Sequence, residues 1–301
     1  MLPGNNESLP APMKILVTGS ASGFAHLLLP RLLADSKIEL VLGVDQQPAA
    51  FKDERFVQLL LDLRSPQLGR VLQGVQAVIH LAPAASDAAA ARGEILAAAQ
   101  NLYTHAPAAG VRQVIHLSSA LVYNAQTRGA IDELRAYGAP PGCVAAEALQ
   151  SAETWLDDFE AERPALRVVR LRPHWLVGPH TDSVLARLLR QHLCLRQPTE
   201  TRLQCVHEED VVEAILLAVN SKVRGAFNLA CKESVTLAAL HQQAHWLRLP
   251  VTARLLAHRL DTAPGCIEAL SRSLVLTSKR ARTELGWKPR YDRVRDILRH
   301  A

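Results

Sequence analysis

Three stretches carry residue types that could do chemistry. VTGSASGFAHLLL (17–29) sets Gly19 and Gly23 four residues apart, with Ala25 two beyond, where an apolar run gives way to a helical pattern. Glycines there permit a tight turn and close approach of backbone to a pyrophosphate, whose charge rests on the helix N-terminus; the third position needs only a small residue. Asp45 lies 20 residues after Ala25 at the end of a second apolar run, where a carboxylate can hydrogen-bond the ribose hydroxyls of an adenosine. The third stretch, HLSSALVYN (116–124), ends an apolar run on two serines. A serine hydroxyl is a weak acid and a weak nucleophile, so chemistry at Ser119 requires a proton-carrying partner elsewhere in the chain.

A glycine pair alone fits a structural turn equally well. Its place between a strand and a helix, together with Asp45, makes a dinucleotide site the better reading. The Asp45 carboxylate would repel the extra phosphate of NADP, and GVDQQPAA (43–50) supplies no arginine to receive it, so NAD is the expected cofactor. Arg55 and Arg64 are near enough in sequence to keep NADP as the minority reading.

These residues need a scaffold. Short β-type runs recur at 14–19, 39–45, 56–62, 75–82, 111–119 and 165–173, and helical stretches such as 24–35 and 92–106 lie between them. Continuous apolar runs alternating with helices are the pattern of parallel strands covered on both faces, which predicts an α/β, doubly wound (Rossmann) sheet. After about residue 173 the alternation fades, as in a smaller domain laid over one edge of the sheet. The turn-rich segment 124–145 reads as an irregular excursion beside the end of the strand that carries Ser119.

Composition narrows the rest. With 49% apolar and 21% charged residues, the chain has the composition of an ordinary soluble globular protein. The first dozen residues lack the basic start and apolar core of a signal peptide, and no later run has the length of a membrane span; this predicts a short flexible leader and a cytoplasmic, membrane-free protein. The five cysteines, at 143, 194, 205, 231 and 266, are an odd number without a close pair, and are expected to be reduced and incidental. Residues 1–150 carry a net charge of −1 and residues 151–301 one of +6, which suits an anionic small substrate. Dispersed arginines and only 4% aromatics argue against nucleic acid. His241 and His245 have the i,i+4 spacing of metal ligands, but no third ligand is evident, and a plain helix face is the better account.

The chain resembles the extended short-chain dehydrogenase/reductase family, the NAD-dependent epimerase/dehydratase group, from about residue 13 to the C-terminus. The pieces that carry the resemblance are VTGSASGFA, GVD (43–45), LDLR (61–64), VIHLA (78–82), AGVRQVIHLSSALVY (109–123), VVRLRPHWLVGP (168–179), TRLQCVHEEDVVEAI (201–215), GAFNLA (225–230) and TSKRARTELGWKP (277–289). The glycine spacing is closer to the classical branch of that superfamily. The resemblance implies a leader at 1–12, an NAD(P)-binding domain at 13–173 with a returning segment at about 204–230, and a smaller substrate domain from 174–203 and 231–301. By position it implies Gly19, Gly23, Phe24 and Ala25 at the pyrophosphate, Asp45 at the adenosine ribose, Asp62 and Leu63 by the adenine, and Leu81 and Ala82 along the cofactor. It implies Ser119 as the catalytic serine and Arg202 as a contact to the phosphates of a nucleotide-sugar, against a surface ion pair with Glu208 or Glu209. A homodimer through the helices at 92–106 and 145–160 is implied as well.

One part of the family pattern is missing. Members complete the site with a Tyr-x-x-x-Lys pair about 25 residues past the serine, whose tyrosine exchanges a proton with the substrate. Here the stretch reads PGCVAAEALQSAETWL (141–156), placing either Cys143 and Glu147 or Ala145 and Leu149 at the two positions, and no lysine occurs between Lys52 and Lys222. Substitutes would be His174, Tyr137 or Tyr123; a Cys143 thiol beside Glu147 would have its thiolate disfavoured. Two readings follow: an epimerase, dehydratase or related oxidoreductase acting on a hydroxyl or carbonyl substrate with an eroded or rewired site, or a noncatalytic NAD(P)-binding sensor or partner protein.

Overall fold

The computed structural model describes residues 12–81, 89–124, 129–191, 194–195, 201–243 and 250–301. The expected leader falls outside these residues except for its last position, as do Ala82 and His245.

Seven strands form one parallel sheet: β1 (Met13–Thr18), β2 (Ile38–Asp45), β3 (Phe56–Leu60), β4 (Ala77–His80), β5 (Gln113–Leu117), β6 (Arg167–Pro173) and β7 (Gly225–Leu229). Their spatial order is β7-β6-β5-β4-β1-β2-β3, so the direction of winding reverses between β1 and β4. The six expected strands are present, and GAFNLA returns to supply the seventh. All four residues of β4 and all five of β5 are buried, as strands covered on both faces must be.

Four helices supply the cover: α1 (Gly23–Leu33), α2 (Ala89–Ala108), α3 (Val144–Ala161) and α4 (Glu208–Val219). On one face Leu28, Leu29 and Leu32 of α1 pack with Val211, Val212 and Ile215 of α4 against Ile15, Val17 and Ile79. On the other, Leu102, Tyr103 and Ala106 of α2 pack with Ala152, Leu156 and Phe159 of α3 against Leu16, Val78, Val114 and Val168. The fold is the doubly wound α/β sheet expected from the sequence. A separate core around Leu185, Leu188, Leu203, Leu256, Leu270 and Ile297 holds the C-terminal part together. There the strands are only two residues long: Leu176–Val177 pairs with Val206–His207, and Arg202–Leu203 pairs antiparallel with Val235–Thr236.

Residues 129–143 contain no helix and contribute only isolated bridges, Tyr123 to Tyr137 and Ile131 to Leu276. The first ties the irregular excursion to the turn after β5 and the second ties it to the C-terminal part.

Candidate functional site

Where the winding reverses, β1, β2 and β4 end together, and a cleft of about 610 Å³ opens between their C-terminal ends. Such switch points are where doubly wound sheets bind ligands. Gly19, Asp45, Asp62, Leu63 and Leu81 line this cleft together, with Thr18, Ser22 and His80. Gly19 adopts φ +68°, a conformation that favours glycine, and a Cβ there would come within 3.3 Å of the Leu81 side chain.

At the mouth of the cleft Ser22 caps α1, its Oγ accepting from the Ala25 N–H at 3.2 Å. That leaves the N–H groups of Gly23 and Phe24, which have no acceptor within the helix, available to an anion. The Phe24 and Ala25 side chains point into the core, so their role at a pyrophosphate would be through the backbone. Gly23 has a second reason to be glycine: a Cβ would lie 2.5 Å from the His180 carbonyl oxygen.

Asp45 fastens the glycine loop to β2, with Oδ2 accepting from Ala21 N at 2.9 Å and Oδ1 from Gln47 N at 3.0 Å. The two arginines that kept NADP in view are both engaged. Arg64 pairs with Asp62 at 2.6 Å and with Glu94 at 3.1 Å, while Arg55 donates to the Leu33 and Ile38 carbonyls at the far end of β2.

Ser119 lies two residues beyond β5, half-buried, and its Oγ accepts from Leu121 N at 3.2 Å as the cap of a single 3-10 turn. A small recess of about 10 Å³, room for a single water, follows, walled by Leu121, Tyr123 and Pro140 and, from later in the chain, by Trp175, Ala269, Arg272 and Leu274. Burial pushes the Arg272 guanidinium below its ordinary pKa. Sequence reasoning missed Arg272, which sits in no recognisable spacing.

On α3 Leu149 packs with Ala120 and Val122, immediately after the serine, and Glu153 one turn on accepts from Ser118 Oγ at 2.5 Å. The helix therefore turns an apolar side chain toward the serine's turn. Cys143 caps α3 at its start and is bonded to Cys266, which corrects the expectation of reduced, incidental cysteines for this pair. The two are 123 residues apart in sequence, a separation that no local spacing rule detects. Cys205 and Cys231 are free and buried.

The substitute proton carriers are engaged by other groups. Arg172 donates through Nε to Glu153 at 2.9 and 3.0 Å and through Nη1 to the Tyr123 hydroxyl at 2.6 Å, and that hydroxyl donates to Asn228 Oδ1 at 2.7 Å. The Tyr137 hydroxyl accepts from Arg172 at 3.0 Å and Arg170 at 3.2 Å, and meets Asp157 Oδ2 at 3.0 Å. Arg170 also pairs with Asp157 at 2.5 Å and with Glu160. Burial pushes both tyrosines above their ordinary pKa, and the Glu153 charge adds to this, outweighing the arginines. A tyrosine that works as a base needs the opposite shift. His174 is buried, with Nδ1 against the Gln204 carbonyl and Nε2 without a partner; burial lowers its pKa to about 4. Its neighbour Trp175, not His174, faces the recess. Arg202 is exposed and donates to the carbonyl and hydroxyl of Ser234 at 3.2 Å each, while Glu208 is engaged by His180 and Thr181 and Glu209 by Arg290. The buried Arg170 and Arg172 were legible as a signal: two arginines two apart in an apolar strand share a face and demand carboxylates.

The chain is similar over 94% of its length, and 82% of the other's, to an uncharacterized protein of Mycobacterium tuberculosis, with 26% identity over 313 residues. Among solved structures it is similar to UDP-glucose 4-epimerase of Thermotoga maritima with UDP-glucose, at 21% identity and TM-score 0.77, covering 95% of this chain and 96% of that one. It is likewise similar to UDP-glucuronic acid 4-epimerase of Bacillus cereus in complex with NAD, at 18% identity, TM-score 0.77, and 96% and 97% coverage. A third is the dTDP-glucose 4,6-dehydratase DesIV of Streptomyces venezuelae with NAD and TYD bound, at 19%, 0.77, and 96% and 95% coverage. The family model described as "NAD dependent epimerase/dehydratase family" matches residues 15–230, from the first strand through the seventh, and the protein belongs to that family.

Proposed function

We propose that this protein binds NAD in the cleft between β1, β2 and β4, takes a nucleotide-sugar-like ligand alongside it toward Ser119, and has lost the acid/base half of epimerase chemistry. The cleft residues suit the cofactor: two N–H groups at the start of α1 without an acceptor in the helix would meet a pyrophosphate, and Asp45 at the end of β2 would meet a ribose. Engagement of Arg55 and Arg64 by other partners favours NAD over NADP. When bound, NAD supplies a hydride acceptor at its nicotinamide. Ser119 would hold a substrate oxygen, and Arg272 would meet negative charge on the ligand. One observation carries the loss of proton transfer: both nearby tyrosine hydroxyls are locked in the arginine–carboxylate cluster with raised pKa.

Calorimetric titration of the purified protein with NAD, NADH, NADP and NADPH tests the cofactor half, after mass spectrometry of denatured protein has excluded retained cofactor. NAD should bind, and Asp45→Ala should weaken it about 10- to 100-fold, the worth of hydrogen bonds to a charged group. Gly19→Val, which puts a β-branched residue at positive φ, should abolish binding. With NAD and a panel of UDP- and dTDP-sugars, turnover should fall about 10² to 10⁴ below ordinary enzymatic rates. Absence of binding would remove the cofactor reading, and turnover near about 10 s⁻¹ would remove the claim of a lost proton carrier.

A further inference from the structure

The Cys143–Cys266 bond joins the two walls of the recess. Cys143 lies three residues after Pro140 of one wall, and Cys266 three before Ala269 of the other. Around it Ala139, Ala146, Leu121 and Val184 pack with Ala263 in a small core of their own. The backbones also meet: a Cβ on Gly265 would lie 2.4 Å from the Gly142 carbonyl carbon and 2.6 Å from the Pro141 oxygen. Two Gly-Cys dipeptides thus face each other with no side chain between the glycines. The cysteines are buried, at 2% and 3% exposure, but Pro141, Gly142 and Pro264 beside them are exposed, so only a thin layer separates the bond from solvent.

We propose that this disulfide is a redox-operated clasp beside the recess, and that its reduction frees the turn at 263–266 from the start of α3. The inference does not depend on the cofactor reading. The chemistry is a two-electron exchange with a dithiol reductant: its thiolate attacks one sulfur, the S–S bond breaks through a mixed disulfide, and two protein thiols form as the reductant closes its own disulfide. What remains at the seam itself is the Gly142–Gly265 backbone contact and the small core around Ala146 and Ala263, whereas Ile267, Ala269 and Leu270 stay in the C-terminal core, so the seam loosens locally while the two larger cores persist.

Peptide mapping with and without dithiothreitol, combined with hydrogen exchange, tests this on the full chain. Protein alkylated without reductant should yield the 143 and 266 peptides as one linked species, and reduced protein should yield them separately alkylated. On reduction, amides at 139–146 and 263–266 should exchange at least about 10-fold faster, with the β1–β6 core and the C-terminal core unchanged, and oxidation should reverse this. The double variant Cys143→Ser/Cys266→Ser should match the reduced protein under both conditions. Free thiols that an oxidant cannot join, exchange at the seam that ignores reduction, or a rise spread over the whole chain would each overturn the clasp. None of these readouts involves NAD, so failure here and failure of the cofactor site are distinguishable.

Discussion

Replacing Glu153 with alanine should cost about 3 to 5 kcal/mol of folding stability, the penalty for removing one partner of a buried ion pair and leaving the other charge uncompensated. Glu153 is fully buried on α3 and accepts from Ser118 and from Arg172, with Arg170 at 3.4 Å. Burial alone would raise its carboxyl, but the hydrogen bonds and charge of Arg172, the charge of Arg170 and the Ser118 hydroxyl outweigh it and hold the pKa at about 2. With a folded pKa below the unfolded one, this carboxylate contributes its stability fully above about pH 4.5 and loses it as pH falls toward 2. Urea unfolding at pH 7.5 is the measurement. Asp157→Ala, which removes a half-exposed partner of Arg170, should cost no more than about 1 kcal/mol in the same assay. A Glu153→Ala variant within that smaller margin would show that the cluster contributes little to stability.

The protein should also be acid-labile well above the range of its carboxylates. His80, His116 and His174 are buried, and burial lowers their pKa values to about 3, 4 and 4 from the ordinary 6.5, with the neighbouring His116 charge adding to the effect at His80. The unfolded chain takes up protons that these imidazoles refuse in the folded state. Their contribution is therefore complete above about pH 6.5 and is lost as pH falls from 6.5 toward 4. By pH 5 the loss is about 2 kcal/mol per imidazole, or roughly 6 kcal/mol for the three, comparable to the whole stability of an ordinary domain. Unfolding free energies at pH 7.5 and 5.0 should differ by several kcal/mol, and His174→Gln should remove about a third of that slope. Equal stability at the two pH values would contradict the assignment.

Two of these histidines belong to a row that the sheet assembles. Thr18, His80, His116 and Arg170 are register partners on four adjacent strands, with Thr18 Oγ1 at 2.7 Å from His80 and the Tyr103 hydroxyl at 2.7 Å from His116. VIHLA and VIHLSS each place a histidine one residue before a leucine at a strand end, so the pattern was visible, but which strands become neighbours was not. The same distinction explains what could be read in advance. The strands and the cleft at the switch point follow from local signals: apolar runs, a glycine turn, and a carboxylate at the end of the second strand. Cys143 with Cys266, Arg272 opposite Tyr123, and the His180 carbonyl over Gly23 are meetings of segments far apart in sequence, and no single stretch encodes them. The choice between Cys143/Glu147 and Ala145/Leu149 was likewise a question of helix rotation, set by Glu153 reaching Ser118 and Leu149 reaching Ala120.

The late arrival of the seventh strand has a consequence for biosynthesis. β7 pairs with β6 from Val169 to Pro173, yet the chain builds part of the C-terminal region before it returns to residues 225–229. A nascent chain, emerging N-terminus first, therefore carries an apolar β6 with one side unpaired throughout that interval. Such an edge is a template for pairing with another copy. Fragments ending between residues 174 and 224 should be captured by chaperones or aggregate, and the sheet half of this protein is not a unit that can be released by cutting after its sixth strand.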